Sequence, residues 1–356
     1  MKQMFSGLVL AAVCAVAVLS AQAPGAAGEP FKLGRVRYQG RTFTALVLRE
    51  TNVVDLAAAA RAANQTIPND LLAIIDQYES GVGDRLKTIV RFVAGRLGSA
   101  RPAYVYELKS VDALAPFMPR TFLNAATNYP EHSVEMGEKP STDPSLPGIW
   151  QRPTGDIRHN PYLFLSPPTV VTGNGDPIQA PIARSKIDWE CELLAVIGKP
   201  TRRVPADKTK DYIWGYSVIN DVSDRQNRDR DSRGMDWFVQ KGQDTFKPFG
   251  PFIVSREFID PLNTKMKFVL SGKQMQEDNT GRAIHNFYEL AHYASNIMTL
   301  RVGDVIALGT PGGVGTARNP PIYMKPGDLS ECTYEGIGTL TNPIVAEGAK
   351  AGKESF

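Results

Sequence analysis

Two carboxylates interrupt an apolar run in DWECELLAVIG, residues 188–198: Glu190 and Glu192, two positions apart. On a strand, residues i and i+2 point to one face. Glu190 and Glu192 therefore stand side by side, while Cys191 and Leu193 face the other way. Two anions in a partly buried site repel and lose hydration, and a divalent cation relieves both costs. On the solvent face of an edge strand the same spacing would be two exposed acids. A second run, GYSVINDVSDR, ends in Asn220 and Asp221, and an acid at the exit of a core strand can supply a third oxygen. Three carboxylates completed by water are hard-oxygen ligands of the kind that hold Mg²⁺ or Mn²⁺. Zinc suits the chain less well, because His132, His159, His285 and His292 show no paired ligand spacing and the cysteines are scattered.

A third candidate is NYPEHSVEMG. His132 and Glu135 are three apart, so one helical turn places them on one face. A carboxylate bonded to imidazole fixes its tautomer and raises its basicity, which suits a general base. A solvated surface pair has the same spacing. GTPGGVG lacks the Lys-Ser/Thr ending of a phosphate loop, so it reads as a turn or a close backbone approach.

The elements that must position these residues fall in two blocks. In residues 31–110, FKLGRVRYQGRTFTALVLRE alternates on both sides of QG, which predicts a hairpin. NDLLAIIDQYE and GDRLKTIVRFVAGRLG carry apolar residues at helical spacing, with Asn69 and Asp84 as their expected caps. From about 118 onward, short apolar runs alternate with Pro and Gly, a strand-rich texture broken by one helical stretch, NFYELAHYASNIMTL. The expected class is α+β and β-rich, with a smaller N-terminal α/β segment (31–110) before a main domain (118–345).

Ahead of both, Lys2, the run FSGLVLAAVCAVAVLS and AQAPGAAGEP read as a signal peptide over 1–27, cut after Ala21, Ala23 or Ala27. Pro24 disfavours Ala23, and an uncleaved anchor is the alternative. The expected location is exported, periplasmic or secreted. Hydrophobic residues make up 42% and charged residues 22% of the 356, as in ordinary globular chains. Forty basic and 37 acidic residues leave a net charge of +3 and no basic patch for nucleic acid. Cys191 and Cys332 would remain after cleavage. An oxidising compartment permits a disulfide, but two cysteines make no framework, and two buried free thiols are the expectation.

Taken jointly, NYPEHSVEMG, PYLFLSPPTVV, DWECELLAVIGK, GYSVINDVSDRQ, KGQDTFKPFGPFIV, LRVGDVIALGTPGGVG and GIGTLTNP resemble the fumarylacetoacetate hydrolase family in order and spacing, over about residues 118–345. The resemblance implies a mixed β-sandwich roll, usually dimeric, holding Mg²⁺ or Mn²⁺. It implies Glu190, Glu192 and Asp221 as metal ligands and His132 with Glu135 as a water-activating dyad on a short lid helix. Lys241 is implied to stabilise charge on a substrate oxygen, and Arg225 and Thr310 to bind substrate. Two positions depart from the pattern. Arg228 stands where many relatives carry Gln, so it is a candidate substrate contact of altered chemistry. Ser166 stands where an LFLKP type carries Lys.

The activity implied is hydrolysis of a carbon–carbon bond in a 1,3-diketo acid of acylpyruvate or fumarylpyruvate type, through a metal-stabilised enolate. Isomerisation, hydration or decarboxylation of a 2-keto acid would use the same core. A non-catalytic exported keto-acid-binding protein is the reading from another class, and retention of His132, Glu135 and Lys241 speaks against it.

Overall fold

The computed structural model describes residues 28–98, 101–137, 146–150, 152, 154–227 and 236–349. The expected signal segment lies outside the described residues.

The QG hairpin forms as expected. Gln39 (φ 48°) and Gly40 (φ 78°) both take positive φ, the geometry that matches strand twist in a two-residue turn, and Phe31–Tyr38 pairs antiparallel with Arg41–Leu48. Phe31–Tyr38 also pairs with Lys247–Ser255. The strands of the first segment thereby extend one large sheet that runs on through Ile213–Asn220, Cys191–Ile197, Val305–Ala307, Phe122–Ala125 and Leu163–Ser166. It is mixed, since Val305–Ala307 and Phe122–Ala125 are parallel while Cys191–Ile197 is antiparallel to both of its neighbours. A five-stranded sheet is built from Lys273–Asn279, Lys265–Leu270, Leu329–Tyr334, Gly338–Ala346 and Ile178–Ala180.

The large sheet is covered on both faces. Cys191, Leu193, Ala195 and Ile197 share a core with Phe268, Cys332, Tyr334 and Leu340 of the five-stranded sheet and with Phe287 and Leu290 of helix Phe287–Ile297. Leu194 and Val196 share a second core with Ile74, Leu86, Ile89 and Val90 of the N-terminal helices. A strand buried on both faces reads as a continuous apolar run, and all seven residues of Cys191–Ile197 are buried.

Three expectations are corrected. Helix Leu71–Asp76 is capped by Asp70, whose side chain accepts from the Ala73 N–H, not by Asn69. Asp70 has the extended backbone that a cap needs, one residue later than expected. Helix Val82–Ala94 begins from Gly81 in the left-handed region, and Asp84 lies inside its first turn. Cys191 and Cys332 are not separate thiols. They form a disulfide, with Cα atoms 5.5 Å apart. The odd-numbered face of Cys191–Ile197 packs on the smaller sheet, where strand Leu329–Tyr334 sets Cys332 opposite Cys191.

Candidate active site

The acids meet where two antiparallel strands end. Cys191 is paired with Asn220. The Glu190 N–H donates to Asn220 Oδ1 at 3.0 Å, and the Asp221 N–H donates to the Glu190 carbonyl at 2.8 Å. Those bonds fix the strand ends against each other and bring Asp221 beside the two glutamates. Glu190, Glu192 and Asp221 are buried, and one ligand oxygen from each lies within 4.8 Å of the others. No other such group occurs among the described residues.

Cations enclose part of this cluster. Lys241 Nζ lies 2.7 Å from Glu190 Oε2 and 2.9 Å from Asp221 Oδ2. Arg225 pairs with Glu190 through Nη2 and with Asp188 through Nε, the latter at 3.1 Å. Lys247 Nζ pairs with Asp221 Oδ1 and donates to the Lys241 carbonyl at 3.2 Å. The carboxyls respond differently. Burial pushes Glu190 up, but Lys241, Arg225 and His132 outweigh it and hold the group below the usual carboxylate range. Burial, then Asp221 and Glu190, push Glu192 well above that range. Its Oε2 accepts the Gly309 N–H at 2.7 Å, and no cation pairs with it among the described residues. Four buried carboxylates, Asp188 included, thus face three cationic side chains. An all-oxygen donor set with one uncompensated carboxylate fits a hard divalent cation.

The dyad is assembled. Helix Pro130–Glu135 starts with Pro at its first position, and its single turn sets His132 Nδ1 2.7 Å from Glu135 Oε1. Glu135 Oε2 accepts the Gly313 N–H at 2.8 Å. The Gly-rich loop therefore works by close backbone approach. Gly315 and Thr316 also donate N–H groups to Asp188, at 2.7 and 3.1 Å. A Cβ at Gly315 would fall 1.9 Å from the Ile322 carbonyl oxygen, so only glycine fits there. Asp188, fully buried, joins this loop to Arg225.

The remaining expected residues sit as follows. Thr310 is buried, donates to the Cys191 carbonyl at 3.1 Å and accepts from Gln276 Nε2 at 2.9 Å, so its hydroxyl braces the acid strand. Ser166 Oγ accepts from Asn124 Nδ2 at 2.9 Å. Arg228 lies outside the described residues. Sequence reasoning missed Asp188 and Lys247. Asp188 continues the alternation of Glu190 and Glu192, and Lys247 interrupts the otherwise apolar run FKPFGPFIV; both signals were present.

Residues 121–345 match the family model described as fumarylacetoacetate (FAA) hydrolase, C-terminal. The chain belongs to the fumarylacetoacetate hydrolase family. Its similarity to relatives also takes in part of the N-terminal segment. Oxaloacetate tautomerase YisK of Bacillus subtilis is 31% identical over 318 residues, 85% of this chain and 96% of that protein. Among solved structures of the family's fold, 5-carboxymethyl-2-hydroxymuconate delta-isomerase from Mycobacterium smegmatis superposes with a TM-score of 0.63 at 29% identity, over 89% of this chain and 99% of that one. Fumarylacetoacetate hydrolase from Exiguobacterium antarcticum gives 0.66 at 27%, over 89% of this chain and all of that one. The expected class, sheet-rich with few helices, is the architecture these neighbours share.

Proposed function

We propose that this enzyme moves a proton at the carbon beside the keto group of a 2-keto acid, as a tautomerase or isomerase, and that Glu190, Glu192 and Asp221 would hold the Mg²⁺ or Mn²⁺ it uses. The closed His132–Glu135 pair beside the buried carboxylate triad supports acid–base chemistry on a keto acid, and the names of the relatives favour proton transfer as its outcome. A cation on Glu190, Glu192 and Asp221 would supply Lewis-acid stabilisation of the charge that develops on the keto oxygen. Glu135 holds Nδ1 of His132 and leaves Nε2 to take a proton from the carbon beside the keto group and to give it back. The Gly313 N–H holds Glu135, so the imidazole keeps one orientation through the cycle. Lys241, buried among carboxylates that raise its pKa against the opposing effect of burial, stays protonated and adds positive charge to the oxygen side. Arg225 and Thr310 border the site. The tautomerase and isomerase names of the relatives support proton transfer.

Hydrolytic cleavage of a 1,3-diketo acid is the second reading, favoured by the same dyad, which can activate water as readily as carbon. Both are tested in one preparation loaded with Mg²⁺ or Mn²⁺. Decay of the enol absorbance of fresh oxaloacetate reports tautomerisation, and loss of acetylpyruvate reports cleavage. Acceleration of the first alone supports the tautomerase, and of the second alone the hydrolase. If neither reaction runs faster than in Glu192→Gln, both readings fail.

Export is part of the same proposal. The apolar N-terminal run and the Cys191–Cys332 disulfide both suit an oxidising compartment. Mass spectrometry of the native protein should find an N-terminus close to residues 24–28. An intact Met1 in a cytosolic fraction would refute export.

A further inference from the structure

Lys247 has no part in the chemistry above, yet it is among the most deeply buried cations in the protein. It opens strand Lys247–Ser255, whose nine residues are all buried, and its side chain is wholly inaccessible. A lysine there loses its hydration and gains only what its partners return. Those partners are Asp221 Oδ1 and the Lys241 carbonyl. Lys241 takes the other Asp221 oxygen, Oδ2. Asp221 is thus gripped at both oxygens by two ammonium groups, whereas Glu192 is met by none among the described residues.

We propose that Lys247 is a positioning residue that sets the affinity of the triad for divalent cations. It holds Asp221 by Oδ1 while Lys241 holds Oδ2, and its charge would oppose a cation bound by the same carboxylate. Two consequences follow. In the metal-free protein Lys247 compensates a carboxylate that would otherwise be buried without sufficient counter-charge, so the strand ends hold together without metal. In the metal-bound protein it weakens binding, which keeps the cation exchangeable. The two effects of losing Lys247 oppose each other. A lost outer contact to a ligand costs about 10–100-fold in metal affinity. A like charge beside a divalent ion opposes its binding by more than that, even at an effective dielectric of about 20. Net tightening is therefore expected.

This inference rests on the triad being the metal site, and the test separates the two. Chelator-stripped wild type, Lys247→Met, Lys247→Gln and Lys247→Arg are titrated with Mn²⁺ by calorimetry, and each is melted with and without Mn²⁺. Lys247→Met keeps the volume and removes the charge, Lys247→Gln keeps a donor, and Lys247→Arg keeps the charge. The expected result is about tenfold tighter Mn²⁺ binding in the Met and Gln variants, near-wild-type binding in the Arg variant, and a lower metal-free Tm that Mn²⁺ restores by mass action. Unchanged or weaker binding in both neutral variants overturns the role of Lys247 while leaving the metal site standing. A Gln variant alone decides the matter if the Met variant does not fold. Wild type that binds no Mn²⁺ overturns both.

Discussion

Two charged clusters in this enzyme use the same groups and end in opposite electrostatic states. On the half-exposed flank, Arg158 pairs with Asp156 at 2.6 Å and with Glu289 at 2.7 Å. Its hydrogen bond carries Asp156 down to about 2. Burial pushes Glu289 up, yet His285, 3.8 Å away, and the hydrogen bonds from Arg158 bring it down to about 2 as well. Every acid there is satisfied. At the strand ends, Lys241 and Arg225 satisfy Glu190, while Glu192 is driven up by burial and by its acidic neighbours. One cluster is complete as it stands, and the other is short of positive charge. Ion pairing of the first kind is a structural clasp, and a deficit held in place by backbone bonds is a place that could hold a cation.

The largest expected effect comes from making the second cluster resemble the first. Glu192→Gln keeps the shape and removes the carboxyl that could ionise to hold a cation. Loss of a contact one shell out costs about 10–100-fold in metal affinity, so loss of a direct ligand should exceed a hundredfold and abolish turnover. Calorimetry with Mg²⁺ or Mn²⁺ checks it, and unchanged affinity would take the triad out of the mechanism. A smaller effect separates chemistry from charge. His132→Ala touches no ligand, so turnover should drop by about 10²–10⁴-fold with metal affinity held within a few-fold. Wild-type kcat in this variant would move the base elsewhere.

The smallest effect lies in the clasp. Arg158 is about one-third exposed, so Arg158→Ala should cost about 1 kcal/mol or less near pH 7 and leave metal affinity alone. Both partner acids have folded pKa values below their ordinary 3.8 and 4.5. Their contribution is therefore complete above about pH 4.5 and is lost as pH falls toward about 2. Denaturant melts at pH 7 and pH 3 should show the wild-type advantage shrinking with acid. A pH-independent difference would mean that Arg158 acts by packing.

The contrast also explains what could be read from the sequence. Glu190 and Glu192 were legible because strand alternation is local, and His132 with Glu135 because one helical turn is local. Asp221 was legible as the end of an apolar run, and the family motifs joined these pieces. The deficit at Glu192 was not legible, since it depends on where Lys241, Arg225 and Lys247 arrive from distant parts of the chain. The pairing of Cys191 with Cys332 failed for the same reason, being a contact between two sheets. The caps at Asp70 and Gly81 were missed by one to three residues, where several neighbouring residues could serve and backbone angles decide. The first segment looked separate in composition, yet its first strand hydrogen-bonds to Lys247–Ser255, a pairing that no local pattern announces.

The Cys191–Cys332 bond makes residues 191–332 a covalent ring with two tails. Asp221, Arg225, Lys241, Lys247 and Thr310 belong to the ring. His132 and Glu135 belong to the N-terminal tail, and the closure falls between Glu190 on the tail and Glu192 on the ring. The ring cannot close until Cys332 has been made, so every residue of the ring precedes its oxidation. Once closed, it shrinks the unfolded ensemble by an amount worth about 4–5 kcal/mol on the chain-entropy account. A single backbone cut anywhere inside the ring then frees no fragment: both pieces stay tied at the residue that sits between the two glutamates.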